Sequence, residues 1–329
     1  MSNKVMDKIG EVFAAARNVL VLTHISPDGD AFGSMTAVGS VMRALGKNVT
    51  LVVEDGMNDE FAYLPLADKV KKRLPYDGDY DLLIAVDCGD EERMGEPYLE
   101  VQDRPIIVNI DHHITNTGFG RFNLVPSSTS SACEVLYTLF DHLNYEISQD
   151  VAISLLTGIV TDTLCFRTSS VKPETLSIAS ALIKAGADLP SIVSRALVVK
   201  PFASLKIWRE GLNKMKLEAG VAWTTLSFKD LDKPSFDGGS NAGLASMFSN
   251  VKEAACGAVL REKEDGRVVV SLRSRPPFSV AEVAVELGGG GHAQASGCAL
   301  DLPLEEAEFE VVRRLKASVA AQKAALLKK

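Results

Sequence analysis

Three short apolar runs constrain this chain more than any other feature. Residues 19–23, 82–86 and 106–110 are continuously rather than alternately apolar, and each gives way at once to His24, Asp87 or Asp111. A strand apolar on both faces has to be covered on both faces. With helical stretches between such strands, the pattern predicts a parallel sheet wrapped by crossover helices. Residues 49–53 read as a further strand. Val5, Ile9, Val12 and Phe13 share a helical face ahead of the first run. Met35, Val38, Met42 and Leu45 share another behind it, closed by Gly46 as a C-terminal cap. Helical patterns dominate from about 130 to 185.

After Gly186 the texture changes. Residues 189–216 read as a helical linker, followed by strands at 221–228, 257–261 and 268–273 and helices at 241–248 and 309–319. A chain of 329 residues exceeds what one core usually organises. The expected plan is an α/β domain over 1–188 with helices on both faces of its parallel sheet, the linker, and a smaller α+β domain over 217–329.

Lys and Arg number 35 against 43 Asp and Glu, a net charge of −8, so a grip on long nucleic acid through its phosphates is disfavoured. The five scattered cysteines (Cys88, Cys133, Cys165, Cys256, Cys298) form no CxxC pair. They make neither a disulfide framework nor a thiolate zinc site, and they fit a reducing compartment. No apolar run approaches 18 residues, so the reading is cytoplasmic, with no membrane partner.

The chemistry-bearing side chains collect at strand ends, where ligands of open parallel sheets bind. His24, Asp28 and Asp30 follow the first run, Asp87 the second, and Asp111, His112 and His113 the third; Asp162 closes a helical stretch. Any one of these aspartates alone would be a turn residue or helix cap. Their concentration changes the reading: of five histidines only His142 lies outside the motifs. Carboxylates this crowded repel one another unless a cation neutralises them. A thiolate-free mixture of carboxylate and imidazole suits Mn²⁺, with Mg²⁺ or Co²⁺ as alternatives. There are more donors than one ion uses, and two ions sharing a carboxylate fit. Such a pair clamps both oxygens of a phosphoryl transfer and activates a hydroxide, making phosphoester hydrolysis the natural reaction class.

The sequence resembles the DHH phosphoesterase superfamily along essentially its whole length. His24-x-x-x-Asp28-x-Asp30, Asp87-Cys-Gly-Asp90, Asn109-Ile-Asp111-His112-His113 and Gly158-Ile-Val-Thr-Asp162-Thr163 resemble its four motifs in order. The resemblance implies His24, Asp28 and Asp87 as ligands of one metal. It implies Asp30, Asp87, His112 and Asp162 for the other, with Asp87 bridging. It further implies His113 at the scissile phosphate and Asp111 orienting the neighbouring histidine; Asp90 caps a turn. Arg167 is a candidate substrate contact, and the 127–131 serine-threonine run is either an anion site or a helix cap. Cys88 reads as small and buried, and Phe122, Phe166 and Phe278 as core or lining.

Gly288–Gly291 and His292 resemble the DHHA1 domain, which usually supplies substrate contacts. Gly289, Gly290 and Gly291 can offer backbone N–H groups to an anion, and Arg273 and Arg275 can add guanidinium forks. A chain with these two domains and no more is similar to the NrnA-type bifunctional oligoribonucleases and PAP phosphatases. The resemblance implies two-metal hydrolysis of short RNA oligonucleotides (nanoRNA, linear dinucleotides) and of 3′-phosphoadenosine 5′-phosphate, pAp. A cyclic-di-AMP/pApA phosphodiesterase is the alternative and a non-catalytic nucleotide binder the remote one. Long duplex nucleic acid is not an expected partner, and a homodimer is left open.

Overall fold

A computed structural model describes residues 3–76, 78–101, 105–230 and 243–327. The chain divides into two compact units, 1–199 and 200–329.

The first unit contains strands β1 (Asn18–Leu22), β2 (Asn48–Val52), β3 (Val70–Lys71), β4 (Leu82–Val86), β5 (Ile106–Ile110) and β6 (Phe122–Leu124). They form one parallel sheet in the order β3-β2-β1-β4-β5-β6. Its helices are α1 (Asn3–Ala15), α2 (Gly29–Ala44), α3 (Glu96–Leu99), α4 (Ala132–His142), α5 (Gln149–Asp162), α6 (Pro173–Lys184) and α7 (Leu189–Val193). The continuous apolar runs are explained by the two cores. Val19, Val21, Leu82, Ile84 and Val86 face the helical core with Phe13, Phe32 and Leu155. Leu20, Leu22, Leu83 and Ala85 face a second cluster with Met94 and Tyr98, where α3 and irregular segments supply the cover.

Helix α2 is buried almost all round, lying between the sheet and the helices α4 and α5. Small residues let α2 and α5 meet. A methyl group at Gly33 would strike the Ser154 carbonyl, and one at Gly158 would collide with Cys133 Sγ and Asp30 Oδ1.

The second unit contains α8 (Phe202–Asn213), β7 (Lys216–Glu218), β8 (Val221–Leu226), α9 (Leu244–Ser249), β9 (Cys256–Glu262), β10 (Val268–Ser274), α10 (Ala281–Glu286), β11 (Gly290–His292), β12 (Ala295–Leu300) and α11 (Leu304–Leu326). Its mixed sheet runs β11-β12-β10-β9-β8-β7, with only β8 and β9 parallel. Helices α10 and α11 cover the Val268, Val270 and Leu272 face, while Ile207 and Phe248 sit with Val259 in a separate cluster. The 189–216 stretch is helical but shared, α7 lying in the first unit and α8 in the second. The helix expected at 241–248 begins at Leu244, its first two positions lying outside the described residues. Among the described residues no single helix is long and apolar enough to cross a membrane.

Candidate metal centre and phosphate slot

The strand order of the parallel sheet reverses between β1 and β4, so the connections leaving the carboxyl ends of these neighbours diverge and open a crevice. His24 stands just beyond β1 and Asp87 directly beyond β4, with His24 Nε2 and Asp87 Oδ2 3.6 Å apart. Asp87 adopts φ +51°, a left-handed conformation that Asp tolerates better than most residues, and its amide donates to the Ile110 carbonyl at 3.0 Å. That sharp turn brings Oδ1 within 3.6 Å of both His112 Nε2 and His113 Nδ1.

β5 delivers the next three side chains. Asp111 is fully buried and occupied by its neighbours: Oδ1 accepts from the His112 amide and lies 2.7 Å from His113 Nδ1. Its Oδ2 accepts from Asn116 Nδ2 at 2.6 Å. His112 Nε2 points among three carboxylates, 3.2 Å from Asp162 Oδ2, 3.6 Å from Asp87 Oδ1 and 3.9 Å from Asp30 Oδ2.

The helices hold the remaining acids. Asp28 caps α2, its Oδ1 accepting from the amides of Asp30 and Ala31. Asp30, fully buried, accepts from the amides of Ala132 (2.6 Å) and Cys133 (3.0 Å) at the N-terminus of α4. The end of that helix, with its partial positive charge, is thereby engaged by a carboxylate of the chain itself. In the 127–131 run, Ser131 is the cap, accepting from the Glu134 amide.

Burial, reinforced by the charge of Asp87 and Asp28, pushes the Asp30 carboxyl well above its ordinary range. Burial and the charges of Asp30, Asp28 and Asp87 do the same to Asp162. At Asp87 burial opposes ionisation, but the hydrogen bond and charge of His24, with the charges of His112 and His113, outweigh it and hold the carboxyl low. His113 is also opposed by burial, yet Asp111 and Asp87 lift it to about 9. The protein alone leaves this cluster electrostatically frustrated, which a cation would relieve.

Two observations test whether divalent ions suit the residues present. Asp87 Oδ1 is buried without a hydrogen-bond partner, a costly state unless positive charge meets it. The donors also fall into sets, His24 with Asp28 and Asp87, and Asp30 with His112 and Asp162, each with donor atoms within 4.8 Å of one another. Ligands of an ion bound at about 2.1 Å stand roughly 3 to 4 Å apart, which matches the observed 3.2–3.9 Å spacings. The residues fit. His24 Nδ1 is 2.8 Å from the Ile25 carbonyl, which fixes the ring and leaves Nε2 for the cluster.

Three supporting residues escaped the sequence reading. Arg93 Nη2 lies 3.4 Å from His24 Nδ1, and the Arg93 carbonyl accepts from the Ile25 amide. Asp55 Oδ2 accepts from the Ser26 amide at 2.5 Å, steadying the loop that carries Asp28. Asn116 supports Asp111. None stands in a periodic pattern, so only the folded loops reveal them. Asp90 does cap a turn, through the Arg93 amide. Burial pushes the Cys88 thiol up to about 12, so it is no nucleophile at neutral pH. Arg167 lies apart from these contacts, its Nε donating to the Leu164 carbonyl. Phe122 and Phe166 pack on the first unit's core and Phe278 on the second's.

In the second unit, strand register aligns the candidate phosphate residues. Arg273 of β10 stands opposite Ala295 of β12, and Ala295 opposite His292 of β11. Directly opposed residues of antiparallel strands share a face. Arg273 and His292 therefore flank a slot floored by Ala295, about 10 Å across from strand spacing. Arg273 is partly buried, which lowers its pKa, and its hydrogen bond is to the Leu272 carbonyl. The glycine run, expected as an accessible loop, is partly strand: Gly290 and Gly291 lie in β11, while Gly289 packs so tightly on Cys298 that a side chain has no room.

Arg275 spends Nη2 on the carbonyls of Val251 and Ala254, both at 2.9 Å, tying down the segment before β9. Arg275→Ala should therefore lower Tm by several degrees, because two part-buried carbonyls lose a charged donor worth about 1.5–3 kcal/mol. Thermal unfolding measures this, and an unchanged Tm would refute the structural role.

Comparison with known proteins places this geometry in context. The model of the DHH family, N-terminal domain, matches residues 18–159, and that of the DHHA1 domain matches 221–321. The bifunctional oligoribonuclease and PAP phosphatase NrnA of Thermus thermophilus is 31% identical over 94% of this chain and 93% of its own length. An exopolyphosphatase-related protein from Bacteroides fragilis superposes with a TM-score of 0.87 at 25% identity, covering 100% of this chain and 98% of its own. The cyclic-di-AMP phosphodiesterase GdpP of Geobacillus thermodenitrificans is 27% identical over 92% of this chain, which spans 47% of that protein.

Proposed function

We propose, from the premise that this chain belongs to the DHH family and carries a DHHA1 domain, that it hydrolyses phosphoesters of short nucleotides. The substrates are linear RNA dinucleotides and similarly short RNA, cleaved to mononucleotides, and 3′-phosphoadenosine 5′-phosphate, cleaved to AMP. The observation that carries the reading is the paired donor set around Asp87, whose buried Oδ1 has no hydrogen-bond partner.

In this reading His24, Asp28 and Asp87 hold one divalent ion and Asp30, Asp87, His112 and Asp162 the other, with Mn²⁺ the favoured occupant. Such a pair supplies Lewis-acid charge to the attacking and departing oxygens of a phosphoryl group. The protein does the rest. The amides of α4 fix Asp30, and Ile25 fixes the ring of His24. Asp111 holds His113 at Nδ1, so its Nε2 is the atom that meets the phosphoryl group or protonates the departing oxygen. In the DHHA1 unit, Arg273, His292 and the backbone of Gly290 and Gly291 bind a phosphate of the substrate, while the Gly289 amide is already given to the Ala284 carbonyl at 2.8 Å. Arg275 is not among them, its Nη2 being given to the carbonyls of Val251 and Ala254.

Purified protein with Mn²⁺ should convert a 5′-labelled RNA dinucleotide to mononucleotides and pAp to AMP. Absence of turnover on every short RNA, pAp and pApA would remove the reading. The likeness to GdpP supports a second reading, hydrolysis of cyclic dinucleotides. Rates on cyclic-di-AMP measured beside pApA and pAp decide between them.

A further inference from the structure

One strained segment of the first unit has no part in the function proposed so far. Directly behind Asp162, Leu164, Cys165 and Phe166 stand at φ +48°, +59° and +62°. Left-handed conformation costs a non-glycine residue roughly 1–2 kcal/mol, so three in succession require something to hold them. A helix end needs one such residue to turn the Cys165 amide back onto the Val160 carbonyl (2.8 Å); the others are surplus to capping.

Thr163 does the holding. Its side chain is buried, with Oγ1 donating to the Ile159 carbonyl at 2.5 Å and accepting from the Phe166 amide at 2.9 Å. Its own carbonyl accepts from the amides of Arg167 (2.8 Å) and Thr168 (3.2 Å). Phe166 adds packing against the core. The chain consequently doubles back, and the Arg167 backbone returns to the residue beside Asp162. Four extended residues would have carried it about 13 Å away.

Arg167 is exposed, and its Nε is pinned to the carbonyl of Leu164 within the same turn. Its two terminal nitrogens have no hydrogen-bond partner among the described residues. A guanidinium with free donors, carried on the turn that directly follows Asp162, is matched by phosphate.

We propose that Thr163 is a positioning residue: it locks the left-handed 164–166 turn, and the turn presents Arg167 as an arm for a non-bridging phosphate oxygen of the substrate. The inference rests on the short-nucleotide reading above and deepens it. The strain persists because relaxing the turn would release the arm.

The test compares wild type with Thr163→Val, Thr163→Ser, Arg167→Ala and the Thr163→Val/Arg167→Ala double variant, all loaded with Mn²⁺. KM and kcat are measured on an RNA dinucleotide, together with equilibrium binding of pAp to the EDTA-treated protein and the Mn²⁺-induced rise in Tm. Thr163→Val and Arg167→Ala should each raise KM and weaken pAp binding by about 10-fold, with kcat changed less than about 3-fold. The double variant should be no worse than either single one, and Thr163→Ser should restore wild-type KM. All four should keep the Mn²⁺-induced rise.

Additive losses near 100-fold, a kcat defect at unchanged KM, failure of serine to rescue, or loss of the Mn²⁺ response would each overturn the proposal. Should Thr163→Val not fold, Leu164→Val makes the left-handed turn costlier without touching the lock; a raised KM supports the proposal and an unchanged one defeats it. Wild type that turns over no substrate defeats the underlying reading. Normal wild-type turnover with unaltered variants defeats the lock alone.

Discussion

Asp87→Asn should lower kcat on an RNA dinucleotide by about 10³-fold, equivalent to about 4 kcal/mol of transition-state stabilisation. The side chain keeps its size, but one of its two oxygens becomes an amide nitrogen that cannot ligate. In the proposed reading Asp87 serves both ions: its Oδ2 lies 3.6 Å from His24 Nε2 and its Oδ1 3.6 Å from His112 Nε2. Asn also presents N–H where the rings of His24, His112 and His113 converge. Metal uptake gives an independent measure. An ion present at a hundredfold its Kd stabilises the native state by about 2.7 kcal/mol, a rise of roughly 5–10 °C in Tm for a unit of this size. Asp87→Asn should remove most of that rise, and EDTA should remove it from wild type. A variant retaining full activity and the full Mn²⁺ response would show that Asp87 is not shared.

Gly158→Ala should lower Tm by about 3–10 °C and weaken Mn²⁺ binding together. The new methyl would enter the volumes of Cys133 Sγ and Asp30 Oδ1, both fully buried, with no route of escape. Overpacking of this kind costs about 1–3 kcal/mol. Any shift that accommodates the methyl displaces Asp30 from the amides of Ala132 and Cys133. Gly290→Ala is the control, since nothing lies within 4 Å of its added methyl, and its Tm should stay within about 1 °C of wild type. Equal effects of the two substitutions would mean that the α2–α5 contact is not the sensitive point.

The sequence was most readable where burial is two-sided. Residues 19–22, 82–86 and 106–110 are strands between two cores, and that demand writes itself as unbroken apolar runs. The acids and imidazoles at their ends were legible for the same reason, because a polar cluster following a buried strand stands out. β3, β6 and β7 have two or three residues each and leave no pattern. β11 was hidden because glycine carries no strand propensity, and its backbone pairing with β12 alone makes it a strand. α11 extends over 304–326 rather than 309–319 because its polar face continues beyond the apolar stripe. The task of Arg275 could not be read at all, since its acceptors are backbone carbonyls more than twenty residues upstream. The alignment of Arg273 with His292 likewise exists only in the register.

The glycine-mediated contact of α2 with α5 has a kinetic consequence. Two helices meshed this tightly leave no gap for solvent, so Asp30 and Asp162 are set in place before any ion arrives. Amide protons in the middle of both helices should exchange with deuterium only when the whole unit opens, without manganese as with it, and more slowly once the ion is bound. Ion capture should then follow simple second-order kinetics, with no slow ordering phase.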